Sequence, residues 1–167
     1  MRSRPLALIA SAAFLIIAPG TVAGYLPWLI TRWRFGLDFG DSSALRAAGL
    51  ALIAIGAAAL LECFVRFAWI GLGTPAPVAP PRRLVVSGLY RHVRNPMYVA
   101  VVTLVIGQAL FFGALGLLLY AAAGWLFFHL FVLGYEEPAL RRQFPDDYER
   151  FTRAVPRWLP RLTPWRG

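Results

Sequence analysis

Apolar positions in this chain come in long unbroken runs separated by short polar stretches. Residues 5 to 31 carry no charge, which exceeds the roughly 20 residues that one membrane-crossing helix needs. The run continues through Tyr25, Leu26, Trp28 and Ile30, which favours a retained helix over a cleaved leader despite Arg2 and Arg4 ahead of it. Trp28 and Trp33 suit an aromatic belt at a membrane boundary. A polar loop with Asp38 and Asp41 follows. A second span is predicted over residues 44 to 61, with Ala47, Ala48, Gly49, Ala54, Gly56 and Ala57 to Ala59. Small residues of this kind let helix backbones approach closely in lipid.

Residues 71 to 88 form a long polar connection in which Gly71, Gly73, Pro75, Pro77, Pro80 and Pro81 forbid a regular helix. Residues 95 to 135 then contain no Asp, Glu, Lys or Arg. That length suits two spans, with the break expected at Phe112-Gly113-Ala114-Leu115-Gly116. Pro96 fits the first turn of the third helix, where its missing N–H costs nothing. In the tail, Leu140, Phe144, Tyr148, Phe151 and Val155 form one amphipathic face that Pro145 should break. Such a face rests on a membrane surface or packs on the polar loops. The predicted fold is an all-α polytopic membrane protein. It has about four transmembrane helices, the third and fourth forming a hairpin, and a cytosolic amphipathic tail. Residues 1–62 would be an N-terminal helix pair and residues 63–167 a functional region.

Composition agrees. Of the 167 residues, 59% are hydrophobic and 15% charged, against about 25% charged in a soluble domain. All 17 basic residues are arginine, against 8 acids. They border apolar segments instead of forming one basic face, so nucleic acid is rejected as a partner and membrane lipids are expected. Their distribution, with Arg32, Arg34 and Arg46 opposed to all the others, puts both termini and the 71–95 loop in the cytoplasm, in a plasma or inner membrane. A single cysteine, Cys63, excludes an internal disulfide and reads as a packed thiol. With only His92 and His129 as imidazoles, no metal site is expected.

A hairpin of the last two spans returns residues 95 to 98 and 136 to 137 to one depth, where polar groups are costly unless paired or functional. Glu136 and Glu137 read as helix-flanking charge, with Pro138 opening a tail helix, or as acceptors for a ligand's hydroxyl or amino groups. Arg91 and Arg94 read as anchors, and Tyr90 and Tyr98 as belt aromatics. Yet Tyr90, Arg94-Asn95-Pro96 and Tyr98 sit together where a broken backbone meets a helix start, and free N–H groups there bind anions. Glu62 and Arg66, four apart, read as an interfacial ion pair, and His129 as a satisfied interior histidine.

The blocks Gly73-Thr74-Pro75-Ala76-Pro77, Leu84-Val85, Gly88-x-Tyr90 and Arg94-Asn95-Pro96-Met97-Tyr98 carry a resemblance. So do Glu136-Glu137, Leu140, Phe144, Tyr148 and Val155-Pro156-Arg157-Trp158-Leu159-Pro160. In this order the chain resembles the isoprenylcysteine carboxyl methyltransferase family, a relative of the membrane phospholipid methyltransferases, over roughly residues 64 to 165. The resemblance implies a membrane-embedded methyltransferase using S-adenosylmethionine, with no dinucleotide-type domain. It implies cofactor contacts at Arg82, Arg83, Leu84, Val85, Tyr90, Asn95, Pro96, Met97, Tyr98, Glu136 and Glu137. It implies catalytic roles for Arg94, Asn95 and Tyr98, and a lipid or lipophilic acceptor bearing a carboxylate or amine. Asn95 replaces the family's His, so it donates a hydrogen bond but carries no proton or charge. Val132 stands where eukaryotic members have a substrate-facing Arg, and Pro145 where a Gly is usual. Two other readings of the same spans are a small four-helix transporter, with His129 as its mid-span ionisable group, and a non-catalytic membrane scaffold.

Overall fold

The computed structural model describes residues 13–36, 38–39, 42–66 and 84–166. Every regular element among them is helical. Helix α1 covers Ala13–Thr31, α2 Ser43–Arg66, α3 Pro96–Phe112, α4 Leu115–Gln143 and α5 Pro145–Ala154, with a short 3₁₀ turn at Gly88–Arg91. Helices α1, α2 and α4 are long and apolar enough to cross a membrane, whereas α3 has 17 residues. At about 1.5 Å per residue, α3 is a few ångströms short of a hydrocarbon core of about 30 Å. Pro96 fixes its start and Gly113, with φ +66°, its end. The break lies where the sequence places it, at Gly113-Ala114. The large apolar side chains Ile17, Leu50, Ile55, Leu119 and Phe127 are exposed, as expected of helices whose outer faces meet lipid.

The chain divides into two compact units. One comprises Ile16–Leu60 and Met97–Phe128. Its core is Val105, Ala109, Leu117 and Ala121, with Ala23, Ile106 and Tyr120 packed against them. Here the small residues of α2 do what their pattern predicts. A methyl added at Gly49 would lie 2.6 Å from the Gly107 carbonyl oxygen, and one at Gly56 3.0 Å from that of Ala100. Helices α2 and α3 therefore touch backbone to backbone, a contact that favours dispersion packing in lipid.

Helix α1 widens to a π turn at Thr21–Tyr25, just before Pro27. Proline has no N–H for the carbonyl four residues back and crowds it. That carbonyl belongs to Ala23 and instead accepts from Gln108 Nε2 at 2.8 Å, while the neighbouring Val22 carbonyl accepts from the Tyr120 hydroxyl at 2.8 Å. Two polar side chains of the spans are thus spent on backbone groups that the proline leaves short. The α3–α4 turn is capped from another segment: Asp38 Oδ2 accepts from the Leu115 N–H at 2.8 Å, and the Gly36 N–H donates to the Phe112 carbonyl at 2.7 Å.

The other unit comprises Met1–Leu15, Leu61–Pro96 and His129–Gly167. The amphipathic face of the tail forms its core. Tyr148, Phe151 and Val155 are buried against Leu84, Val86, Leu140, Phe144 and Trp165. The face thus packs on the polar loop. Pro138 lies in the first turn of the helical segment Glu137–Gln143, as the sequence suggests, but that segment continues α4 without a break. A second π turn, Val132–Glu136, makes the join and α4 runs on to Gln143. The break comes at Phe144, where the backbone leaves the helical region (φ −136°, ψ 63°) and Pro145 takes the first turn of α5.

Candidate functional site

The loop-and-tail unit gathers the chemistry that the sequence places at residues 84 to 95 and 136 to 137. Residues 91 to 95 have no regular structure beyond the 3₁₀ turn, so their backbone groups need partners. The last stretch of the tail supplies them. The Arg94 N–H donates to the Pro156 carbonyl, and the N–H groups of Arg161 and Trp165 donate to the carbonyls of His92 and Arg91, each at 2.9 Å. Side chains reinforce this pairing. Arg91 Nε donates to the Trp165 carbonyl, His92 Nδ1 to that of Arg161 at 2.8 Å, and Asn95 Nδ2 to that of Arg157 at 3.2 Å. Tyr90 and Val93 are buried beneath.

At the centre lies Glu137, only 5% exposed. Its Oε1 accepts from Arg94 Nη1 at 3.1 Å and from Arg157 Nε at 2.6 Å, and its Oε2 from Arg157 Nη2 at 3.2 Å. The forked contact from Arg157 is the bidentate geometry that guanidinium and carboxylate share. The hydrogen bond to Glu137 holds the Arg157 guanidinium above its already high pKa. Two arginines on one carboxylate leave the group with one net positive charge. Burial, and behind it the Glu137 charge, push the Tyr148 phenol up to about 12. Glu136 is half-buried and its charge also reaches Tyr148. The two glutamates, equal in the sequence, therefore differ: Glu137 has both oxygens engaged by arginines inside the fold.

Three buried side-chain atoms have no hydrogen-bond partner among the described residues: Arg94 Nε, Ser87 Oγ and Glu62 Oε2. Unpaired buried polar atoms are costly and rare in native proteins. They are a donor, a hydroxyl and an acceptor. The other predicted site residues distribute as follows. Leu84, Val85, Tyr90, Arg94, Asn95, Pro96, Glu136 and Glu137 all fall in this unit. Val85 and Pro96 are buried, and Leu84 is half-buried and packs on the tail core. Met97 and Tyr98 belong to the spanning unit, where the Tyr98 ring stacks on Phe128 with centroids 4.7 Å apart. Arg82, Arg83 and the Gly73–Pro77 block lie outside the described residues.

His129 is satisfied as expected, with its Nδ1 accepting from Trp158 Nε1 at 3.0 Å. Cys63 is a buried, packed thiol. Sequence reasoning missed Arg157 as a site residue. Its place in the Val155-Pro156-Arg157-Trp158 block was the available signal, but nothing in the block shows that the side chain returns to Glu137. Among the described residues, no group of three or more His, Cys, Asp or Glu is placed to hold a metal ion.

A family model described as phospholipid methyltransferase matches residues 44–147. No curated protein and no solved structure matches the chain.

Proposed function

The chain belongs to the phospholipid methyltransferase family, and from that premise we propose that it transfers a methyl group from S-adenosylmethionine to a lipid or lipophilic small molecule bearing a carboxylate or amine. The observation that carries this reading is the set of buried atoms without a hydrogen-bond partner among the described residues: Arg94 Nε in the Arg94-Asn95-Pro96 block, Ser87 Oγ in the loop before it and Glu62 Oε2 at the end of α2. They fit a guest that brings both hydroxyl donors and a carboxylate, as this cofactor does. When bound, the cofactor supplies an activated methyl group on a sulfonium.

The chain's own residues then have positioning to do, since in-line displacement needs alignment and exclusion of water more than covalent help. Arg94 carries the donor and the excess positive charge for the cofactor's carboxylate. Asn95, held by the Arg157 carbonyl, presents its amide at the start of α3. Glu136 would take the amino group. Tyr90 would offer its ring to the sulfonium. Glu137 is the buried counter-charge that keeps Arg94 and Arg157 in place. In this reading α3 pairs with α4 as a fourth span, both termini and the site face the cytoplasm, and the lipophilic acceptor enters from the bilayer.

The test is methyl transfer by the purified protein in lipid. Labelled S-adenosylmethionine is supplied with a total lipid extract, and the labelled product is identified by mass spectrometry. A labelled lipid that is absent with Arg94→Ala supports the reading. A well-folded protein that labels nothing in the extract counts against it.

A further inference from the structure

The last turn of α2 carries an ion pair in which Arg66 Nε donates to Glu62 Oε1. Gly88 rests directly on this pair. Its φ of +55° lies in the left-handed region, and a methyl there would overlap Arg66 Nε and Glu62 Oε1. The end of a spanning helix and the loop before α3 are thus joined through a residue that can have no side chain. Beside that contact, Glu62 Oε2 and the hydroxyl of Ser87, the residue before Gly88, are two of the buried atoms without a partner among the described residues. An interfacial ion pair needs only one carboxylate oxygen and explains neither orphan.

Charge decides which chemistry suits Glu62 Oε2 and the Ser87 hydroxyl. Arg66 already neutralises Glu62, so a cation would meet Arg66 as well as the carboxylate and gain little. An anion would face Glu62 Oε2. What suits the place is an uncharged group that donates to Glu62 Oε2 while exchanging a hydrogen bond with Ser87, whose hydroxyl both donates and accepts. A vicinal diol meets both demands. The third orphan, Arg94 Nε, is a bare donor and asks for the opposite kind of group. We infer that Glu62 and Ser87 form a subsite for the ribose hydroxyls of a nucleoside ligand. This inference rests on the cofactor reading above and leaves Glu136 for the cofactor's amino group.

The test is calorimetry on the protein in lipid nanodiscs, with S-adenosylhomocysteine and its 2′-deoxy and 3′-deoxy analogues. The wild type should bind at least one deoxy analogue about tenfold more weakly, the worth of one hydrogen bond to a charged acceptor. Glu62→Ala should lose about the same factor for S-adenosylhomocysteine and no longer tell it from that analogue. Arg66→Ala breaks the ion pair but leaves the acceptor, so it should keep the discrimination. Ser87→Ala gives the same readout with less strain on the fold, and its discrimination should shrink too. Variants that still separate the ligands tenfold, or a wild type that binds all three equally, overturn the subsite while leaving the cofactor reading intact. A folded wild type that binds none of them overturns both.

Discussion

Glu137 shows how far a single residue's role depends on what surrounds it. A carboxylate 5% exposed is tolerable only because Arg94 and Arg157 close on it. Removing it leaves two half-buried guanidinium groups without a counter-charge, so Glu137→Ala should cost about 3 kcal/mol, the low end for a broken buried pair. Unfolding in mixed micelles measures this directly, and a cost under about 1 kcal/mol would mark the pair as a solvent-screened surface contact. Tyr148 gives a pH signature in the same place. Its phenol titrates near 12 in the fold against an ordinary value of 10.0. Below pH 10 it is neutral in the folded and unfolded chain alike. Between about 10 and 12 only the unfolded chain ionises, so stability should fall across that window. Tyr148→Phe should flatten the decline, and identical pH profiles for the two proteins would disprove the assignment. The sequence made the Glu136-Glu137 pair conspicuous but could not rank its members. Which glutamate turns inward depends on Arg157, 20 residues away along the chain and brought back by the tail.

At the scale of elements, the apolar runs and the small residues were enough to place the apolar helices and the α3–α4 turn. Gly113 breaks an uncharged run too long for one helix, and Gly49 and Gly56 mark the face of α2 that meets α3. Replacing Gly49 by Leu drives a side chain into the backbone of Gly107 and Phe111. It should separate the helices and lower the midpoint of thermal unfolding by several degrees, whereas Leu at exposed Ala58 should not. What the pattern could not show is how α1 survives Pro27, because the remedy comes from Gln108 and Tyr120 on other helices. Gln108→Leu leaves the Ala23 carbonyl unpaired and should cost about 1–3 kcal/mol. In a Pro27→Ala background the helix supplies its own N–H, and the same substitution should cost much less. Equal costs in the two backgrounds would show that Gln108 acts elsewhere. Pro138 does sit in the first turn of a helical segment, but the π turn that joins this segment to α4 could not be read from the pattern.

For the molecule as a whole, the tail is the part whose role exceeds what its sequence announced. Its amphipathic face was readable, and so were the motif blocks. In the pairing of residues 156 to 165 with residues 91 to 95 every tail partner is a backbone group, so the tail's residue types left no trace of it in the sequence. Removing residues 155 to 167 should therefore leave the spans intact yet expose residues 84 to 95. Hydrogen exchange should show those amides losing protection while α2 and α3 keep theirs. Unchanged protection in the loop would mean that the tail merely covers it. In the proposed function this loop, the start of α3 and the end of α4 hold one nucleoside-bearing cofactor. Calorimetric titration of S-adenosylhomocysteine into the full chain in nanodiscs, alongside Glu136→Ala, checks this. Saturable one-to-one binding by the wild type, lost in a Glu136→Ala protein that is still folded, is the predicted result. No heat of binding from a folded wild type, or equal affinity in the two proteins, would contradict it.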